Sequence, residues 1–453
     1  MSPPLPAMQP AKPAALRPAP GVPAAGYAKP ARLQPIDINL DANEGASVPK
    51  LTLDVMAARA VTASALRQYP EADSLQSAIA QTLSVRPEQV LVTAGADDAL
   101  DRIAASTLSA SHPAATTPYA PPRAVLTTPT FEMIGRYVRL RGGIASEVPW
   151  LDGPLPIDEI SLAITSNSAP ARVVFLVTPN NPTGAAVSAS QVSSVLSVCR
   201  SAGTVLCIDQ AYGEFADTDL CAQFASEPGV VITRTFSKAW GLAGLRIGYA
   251  VGDPQIISWM RAVGQPFAAS AVSLSIAQQW LAQGRPAMQA FVGRVRAERT
   301  ALSALLRSTG QTVIESHANF VLARFADNPA SNRPRGSRAL LIADLLAAQG
   351  IAVRTFSKEP LFDMLRITLP GDEAIMLRLT SAFHVALIPG RGNFTLCQTS
   401  SAVIKARAAG SLAIGLLAEG SSVADVEALL RAGAARVISS PSQLSSLIAE
   451  ANS

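Results

Sequence analysis

Short runs of apolar and β-branched residues recur between residues 88 and 252, and segments with helical periodicity separate them. Several of these runs are apolar at every position, as is typical of parallel strands that are covered on both faces. In segment 188–203, Val192, Leu196 and Cys199 form one stripe, and Gly203 is a helix stop signal. The alternation predicts a mainly parallel sheet with helices on both faces. Strands are predicted at 88–93, 123–128, 172–178, 204–209, 230–235 and 246–252.

A second and shorter α/β pattern begins after about residue 286. Its predicted helices and strands are helices at 288–310 and 337–350 and strands at 318–325, 351–356 and 365–369. Segment 326–337 has the composition of a surface loop. The fold class is therefore predicted as α/β, with a large and mainly parallel domain followed by a smaller α/β domain.

Both ends of the chain depart from this pattern. The first 34 residues are rich in Ala and Pro and lack apolar periodicity, which predicts a disordered tail with polyproline II character. The last 63 residues add a further alternation of helices and strands. The predicted units are a tail at 1–34, a segment at 35–66 that joins the small domain, a large domain at 67–285, a small domain at 286–390 and a C-terminal α/β fragment at 391–453.

The net charge of +4 originates in the tail. Residues 1–36 contain four basic and no acidic residues, and the rest of the chain has 33 of each. The chain after residue 36 is therefore neutral and lacks the positive charge that is typical of a nucleic-acid-binding protein. No apolar run approaches the ~20 residues of a membrane span. We expect a cytoplasmic protein with no nucleic-acid or membrane partner, although the basic tail leaves organelle targeting open. The Cys and His residues show no metal-ligand spacing, so no metal site is predicted.

Polar side chains follow several predicted strands at the point where each strand ends. They are Asn181 in "TPNNPTG", Asp209 and Tyr212 in "DQAY", and Thr235, Ser237 and Lys238 in "TFSK". The Gly turn of "TAGADDAL" (93–100) also opens a helix, whose free N–H groups favour a phosphate. Ligands of parallel α/β sheets bind at the carboxyl ends of the strands, so we expect these groups to lie close together.

This set of groups is typical of a site for pyridoxal phosphate (PLP). A lysine amine forms a Schiff base with the PLP aldehyde, and an aspartate keeps the pyridinium nitrogen protonated. Lys238 and Asp209 are the candidates for these roles. Tyr and Asn side chains can bind the phenolic oxygen of the ring, and Arg246, eight residues after the lysine, offers a fork of donors to the phosphate.

The same motifs resemble those of the class I and II, fold-type I, PLP-dependent aminotransferases, and most closely the histidinol-phosphate aminotransferases. The resemblance covers about residues 36–388. Its most specific parts are "PNNPTG", "DQAY" and "RTFSKAWGLAGLRIGY" (234–249), and weaker parts include "LDANEG" (40–45), "RQYP" (67–70), "PTFEM" (129–133) and "LRIT" (365–368).

The resemblance implies a role for each matching residue. Lys238 would be the Schiff-base lysine and would move the substrate proton, and Asp209 would pair with the pyridinium nitrogen. The other implied cofactor contacts are Asn181 and Tyr212 at the ring oxygen, Phe131 stacked on the ring, and Ala96, Asp97, Thr235, Ser237 and Arg246 at the phosphate. Tyr69 resembles a tyrosine that reaches the phosphate of the other subunit, which implies a homodimer.

The implied substrate contacts are Arg366, which would clamp the α-carboxylate, Arg354 as a second anion-binding arginine, and Asn43 near the substrate. The favoured reaction is transamination between L-histidinol phosphate and 2-oxoglutarate, in histidine biosynthesis. The alternatives are an aromatic amino-acid aminotransferase, an enzyme like threonine-phosphate decarboxylase, and an inactive interaction protein. This chain departs from the family at the "NEGASVP" stretch (43–49) and at Trp240. Both departures bear on which substrate the enzyme uses and not on which cofactor it binds.

The C-terminal fragment resembles the closing segment of haloacid-dehalogenase-like phosphatases. That family needs an acidic pair for magnesium before the helix that corresponds to "KARAAG", and this chain has "CQTSSA" (397–402) there. The fragment also lacks the nucleophilic DxD region of that family. The fragment is therefore predicted to be non-catalytic.

Overall fold

The apolar runs and the local start and stop signals determine where the strands and helices form. The structure, a computed structural model, describes residues 22–23, 35–108, 121–166, 170–327, 334–387, 394–397, 399–408, 412–417, 422–432, 434 and 436–438. Its strands are β1 (Ile38–Leu40), β2 (Val90–Thr93), β3 (Arg123–Thr128), β4 (Ile144–Pro149), β5 (Val173–Val177), β6 (Val205–Asp209), β7 (Val230–Thr235), β8 (Gly248–Gly252), β9 (Thr312–Val313), β10 (Phe320–Arg324), β11 (Ile351–Thr355), β12 (Met364–Thr368), β13 (Phe394–Cys397), β14 (Leu412–Leu416) and β15 (Arg436–Ile438).

The helices begin and end as follows: α1 (Lys50–Ala60), α2 (Ala63–Arg67), α3 (Asp73–Leu83), α4 (Gly95–Leu108), α5 (Glu132–Leu140), α6 (Ile157–Thr165), α7 (Ala189–Ala202), α8 (Leu220–Phe224), α9 (Pro254–Val263), α10 (Ala271–Gln283), α11 (Arg285–Ser308), α12 (Ser337–Ala348), α13 (Glu373–Leu387), α14 (Ser400–Ala408) and α15 (Val423–Arg431). Gly203 ends α7 in the left-handed conformation, as predicted, and a capping box of Ser188 and Gln191 opens the helix.

Seven strands form one sheet in the order β2-β8-β7-β6-β5-β3-β4. The pairs among β4, β3, β5, β6 and β7 are parallel, and β8 runs antiparallel to both β7 and β2. The prediction of a mainly parallel sheet is confirmed. Alternate residues of β5 pack into two different hydrophobic clusters, Val174 in one and Phe175 in the other, because helices cover both faces.

A second sheet has the order β1-β11-β12-β10-β9. The pair β1 and β11 is parallel, and the other pairs are antiparallel. Arg354 of β11 lies directly opposite Arg366 of β12 in the strand register. Because β1 comes from the N-terminal segment, this sheet joins residues that are more than 300 positions apart in the chain.

The C-terminal fragment forms a separate parallel sheet in the order β13-β14-β15. A small cluster of Val403, Leu429 and Ala434 is buried against it. The part of the predicted C-terminal fragment after residue 438, and all of the predicted tail except residues 22–23, lie outside the described residues. Within the described ranges, no helix is both long and apolar enough to cross a membrane.

Candidate active site

A cavity of about 770 Å³ opens where the carboxyl ends of β2, β5, β6 and β7 face the second sheet. All of the predicted site residues except Tyr69 line it: Asn43, Ala96, Asp97, Phe131, Asn181, Asp209, Tyr212, Thr235, Ser237, Lys238, Arg246, Arg354 and Arg366. The large sheet places its polar strand ends on one wall, and β11 and β12 place the two arginines on the opposite wall.

Lys238 follows the bend after β7 and is partly buried. Its Nζ donates a hydrogen bond to the carbonyl of Ala42 at 3.0 Å and lies 5.7 Å from the centroid of the Tyr212 ring. Burial, followed by the positive charge of Arg366, lowers the pKa of the lysine to about 8. An appreciable fraction of the amine is therefore neutral near physiological pH, as a nucleophile or base requires.

Asp209 ends β6 and is only 3% exposed. Its Oδ1 accepts hydrogen bonds from the Thr233 hydroxyl at 2.8 Å and from the Ala211 N–H at 3.1 Å. Burial raises the pKa of this carboxyl to about 6 in spite of both bonds. A buried carboxylate is costly without a cationic partner, so this position suits a ligand that brings a positively charged N–H group.

Tyr212 and Asn181 line the cavity together with the lysine and the arginines. The Tyr212 hydroxyl oxygen accepts a hydrogen bond from Asn43 Nδ2 at 2.9 Å, and burial raises the pKa of this phenol. Asn181 Oδ1 accepts a hydrogen bond from Arg366 Nη1 at 2.5 Å. Phe131 caps the start of α5 and presents a partly buried ring to the cavity.

A cluster of hydrogen-bond donors surrounds the start of α4. The Thr235 and Ser237 hydroxyl groups are 2.9 Å apart, and Arg246 Nη2 lies 3.1 Å from the Asp97 carboxylate. Gly95 has a φ of +81°, and a Cβ atom there would lie 2.8 Å from Arg246 Nη2, so no larger residue fits without a shift of that guanidinium. Hydroxyls, a guanidinium and a helix N-terminus in one place are a donor set for a phosphate.

Arg366 and Arg354 differ in their surroundings. Arg366 is 8% exposed, and its Nη2 donates to the carbonyl of Asp41 at 2.7 Å. Arg354 is more open, and its Nη2 lies 3.8 Å from the Glu132 carboxylate. Two arginines in directly opposed positions repel each other, so a bound anion between them would stabilise this part of the sheet.

Tyr69 lies outside this cavity. Its side chain is 79% exposed and stacks on the exposed ring of Phe267, with the ring centroids 4.7 Å apart. The expectation that it reaches the site of a second subunit stays a prediction.

Sequence reasoning missed how segment 41–46 packs on the lysine loop. A Cβ atom on Gly45 would lie 1.8 Å from the Lys238 carbonyl oxygen, and one on Gly241 would lie 2.0 Å from the Ala46 carbonyl oxygen. The two backbones are too close for a side chain at either position. Gly45 in the "NEGASVP" stretch and Gly241 after the lysine are the residues of the sequence that permit this contact.

Comparison with known proteins agrees with this arrangement. The sequence model of the family described as aminotransferase class I and II matches residues 35–383. The chain belongs to the class I and II aminotransferases. Among relatives of this aminotransferase, the histidinol-phosphate aminotransferase of Roseiflexus castenholzii is 32% identical over 342 residues, which are 74% of this chain and 86% of that protein.

Two further comparisons concern the substrate and the fold of this aminotransferase. The aromatic amino acid aminotransferase of Mycobacteroides abscessus is 30% identical over 354 residues, which are 77% of this chain and 93% of that protein. The crystal structure of histidinol-phosphate aminotransferase from Sinorhizobium meliloti in complex with pyridoxal-5'-phosphate superimposes with a TM-score of 0.65 at 24% identity, over 77% of this chain and 90% of that chain. The predicted fold type is therefore confirmed.

Proposed function

We propose that this aminotransferase holds PLP on Lys238 and exchanges an amino group between L-histidinol phosphate and 2-oxoglutarate. The observation that carries the cofactor proposal is the lysine itself. Its amine lies in a cavity, has a pKa lowered to about 8, and has the carboxylate of Asp209 on the same wall. A lysine with a lowered pKa in such a cavity is suited to bond a carbonyl carbon.

The residues present fit PLP at each of its polar positions. The Asp209 carboxylate, which burial leaves poorly stabilised, suits the protonated ring nitrogen. Asn181 and Tyr212 line the same cavity and would bind the ring oxygen, and the ring of Phe131 would stack on the cofactor ring. The phosphate would bind at the start of α4, where the N–H groups of Ala96 and Asp97 and the side chains of Thr235, Ser237 and Arg246 lie.

When bound, PLP supplies an aldehyde that bonds amino groups and a protonated ring that accepts electrons from the substrate Cα. The protein residues supply the rest. Arg366 would bind the α-carboxylate of glutamate or 2-oxoglutarate with its fork of donors, or the phosphate of L-histidinol phosphate, which has no carboxylate, and so orient the substrate Cα. The free amine of Lys238 would accept the proton from the substrate Cα and donate it to the neighbouring carbon, the former aldehyde carbon of the cofactor. Asp209 would keep the proton on the ring nitrogen throughout.

Basic side chains on the second wall favour substrates with an anionic group, such as a carboxylate or a phosphate. Arg335, Arg354, Lys358 and Arg366 all line this side of the cavity. 2-Oxoglutarate has two carboxylates and L-histidinol phosphate has a phosphate, so each has an anion for this wall. The similarity to the Roseiflexus enzyme supports the same choice.

Aromatic amino-acid transamination is the second candidate. Phe131, Phe356 and Phe362 line the same cavity and could pack against an aromatic substrate. A half-reaction screen separates the candidates: the PLP-loaded enzyme is mixed with one amino donor, and the loss of its cofactor absorbance is followed. Rapid loss with L-histidinol phosphate supports the proposal. Loss with phenylalanine or tyrosine alone would move the assignment to the aromatic reaction, and loss with none would contradict both.

Replacing Arg366 by Gln should raise KM for L-glutamate and for L-histidinol phosphate about 100-fold, because a charge-assisted contact is lost. Arg354→Gln is the matched control on the facing strand. We expect it to leave KM for glutamate within about threefold of the wild-type value. It should raise KM for the phosphorylated substrate. Steady-state kinetics with both donors measure this. Equal effects of the two variants on glutamate would contradict the role given to Arg366.

A homodimer is proposed for this enzyme. Large apolar side chains are exposed on α1, α2, α9 and the nearby loop, among them Leu51, Leu66, Tyr69, Trp259 and Phe267. A second copy would cover such a surface. Analytical ultracentrifugation of the purified protein should give twice the chain mass, and a monomer at all concentrations would exclude the arrangement.

The C-terminal unit is proposed to be a non-catalytic relative of a haloacid-dehalogenase-like phosphatase segment. Its three parallel strands and two helices support this, as does the absence of a carboxylate in "CQTSSA" (397–402). A magnesium-dependent phosphatase assay should detect no turnover, and clear turnover would refute the proposal.

A further inference from the structure

Three consecutive residues after β1 contact three of the proposed active-site residues. The carbonyl of Asp41 accepts a hydrogen bond from Arg366, and the carbonyl of Ala42 accepts one from Lys238. Asn43 donates from its side chain to Tyr212. One short segment therefore touches the substrate clamp, the lysine and the phenol, and Asn43 is the member that does so through a side chain.

The orientation of the Asn43 amide is fixed by its neighbours. The backbone N–H of Asn43 donates to the Thr368 hydroxyl oxygen at 3.1 Å, and that hydroxyl donates its own proton to Asn43 Oδ1 at 2.9 Å. Because Oδ1 is occupied in this way, Nδ2 is the atom that faces Tyr212, at 2.9 Å. The residue is 1% exposed, and Asn319 Nδ2 donates to its carbonyl at 3.3 Å.

The backbone of Asn43 is held in an unusual conformation. Its φ of +53° lies in the left-handed region, where Asn is one of the few side chains that occur regularly. This geometry brings both ends of the amide within reach of partners on two different elements, Thr368 on β12 and Tyr212 after β6. The amide therefore links the second sheet to the phenol beside Lys238.

The direction of the hydrogen bond decides what Tyr212 can do. Its oxygen accepts from Asn43, so the phenolic proton must point elsewhere, and Tyr212 lines the cavity. We propose that Asn43 is a positioning residue that aims the Tyr212 hydroxyl proton at the ring oxygen of bound PLP. The inference rests on the proposed function, since it concerns the same cofactor site.

The expected consequence is a shift in the acidity of the linkage between PLP and Lys238. A hydrogen bond from Tyr212 withdraws electron density from the ring oxygen, which then holds the proton on the linkage nitrogen less strongly. The pKa of the linkage is lowered by this bond. Without Asn43 the hydroxyl is free to rotate, the bond weakens on average, and the pKa rises.

Other charged groups also act on this nitrogen. Those with the largest influence on Lys238 are Arg366, Glu44, Asp97 and Arg246, and Asp209 and Tyr212 share its cavity. The variants described next leave the charged groups in place, and Tyr212→Phe removes only a phenol whose pKa is raised by burial and which is therefore neutral. A change in the titration therefore reports on the hydrogen bond.

The test is an absorbance titration of the PLP-loaded protein, which does not depend on turnover. Asn43→Gly removes the amide and suits the positive φ, and it should raise the linkage pKa by about half a unit to one unit. Tyr212→Phe should raise it further. In the double variant, Asn43→Gly should add no shift beyond that of Tyr212→Phe, because the amide acts only through the phenol.

Thr368 provides an independent pair of variants that leave Asn43 in place. Thr368→Val frees the amide to flip and should reproduce part of the shift, and Thr368→Ser keeps the hydroxyl and should titrate like the wild type. No shift in Asn43→Gly or Thr368→Val, or an undiminished shift in the Tyr212→Phe background, would overturn the inference. If the wild type itself shows no titrating cofactor band, the proposed function fails instead, so the two failures are distinguishable.

Discussion

Replacing Lys238 by Ala should lower kcat/KM by a factor of about 10⁴ or more, because the substitution removes both the amine that bonds the cofactor and the base that moves the proton. The carbonyl of Ala42, just after the end of β1, accepts a hydrogen bond from Nζ at 3.0 Å and holds this amine in the cavity. The remaining cofactor contacts are unaffected. We therefore expect the variant to bind PLP without covalent attachment and to remain folded.

The control for this variant is Lys50→Ala. The Lys50 side chain is 87% exposed and pairs with Asp54 on the surface of α1, so its removal should change activity by less than about twofold. Steady-state kinetics, thermal unfolding and the PLP content of all three proteins form the measurement. A Lys238→Ala enzyme that turns over at a rate near that of the wild type would refute the assigned role.

Replacing Asp209 by Asn should lower kcat by about 10²- to 10³-fold, the range found when one preorganised electrostatic group is lost. Asn keeps the shape of the side chain and can keep the bonds from Thr233 and Ala211. It cannot hold the proton on a ring nitrogen as a carboxylate does. Single-turnover kinetics with L-glutamate measure the loss in the step at Cα.

The same variant should have the opposite effect on the stability of the protein without cofactor. Burial raises the pKa of Asp209 from 3.8 to about 6 in the folded state, so the folded protein binds this proton more tightly than the unfolded chain. Its free energy of unfolding therefore falls as the pH rises between these two values and stays lower above them. Asp209→Asn lacks this loss and should be more stable by about 1–3 kcal/mol at pH 8.

At pH values below both of these pKa values the two proteins should be equally stable, because both folded and unfolded carboxyl groups are then protonated. Urea unfolding of the two apoproteins at acidic and at alkaline pH tests this. A variant that is less stable than the wild type at pH 8 would contradict the claim that the ionised Asp209 carboxylate destabilises the protein without cofactor.

The large sheet and the residues at its strand ends follow from sequence because the information is local. Strands such as β5 and β6 are apolar throughout, and each ends in a polar motif that the next loop carries to the same edge. The geometry of parallel strands then brings Asn181, Asp209 and Lys238 into one cavity. Pattern and topology were sufficient for that step.

Other features depend on contacts between distant parts of the chain. β1 has only three residues and exists because β11, more than 300 positions later, pairs with it. β4 has a single buried residue, Val148, and lies at the edge of its sheet, so it has almost no apolar signal. The partners of Asn43 are set in the same way, because Thr368 and Tyr212 reach it from two different sheets.

The central claim is a covalent bond between the side-chain amine of Lys238 and the aldehyde of PLP. Borohydride reduction of the native, PLP-loaded protein makes such a bond permanent, and digestion followed by tandem mass spectrometry locates the modified residue. We expect a pyridoxyl group on Lys238 and on no other lysine in wild-type protein, and none on the Lys238→Ala variant. An unmodified Lys238, or a pyridoxyl group at another position, would contradict it.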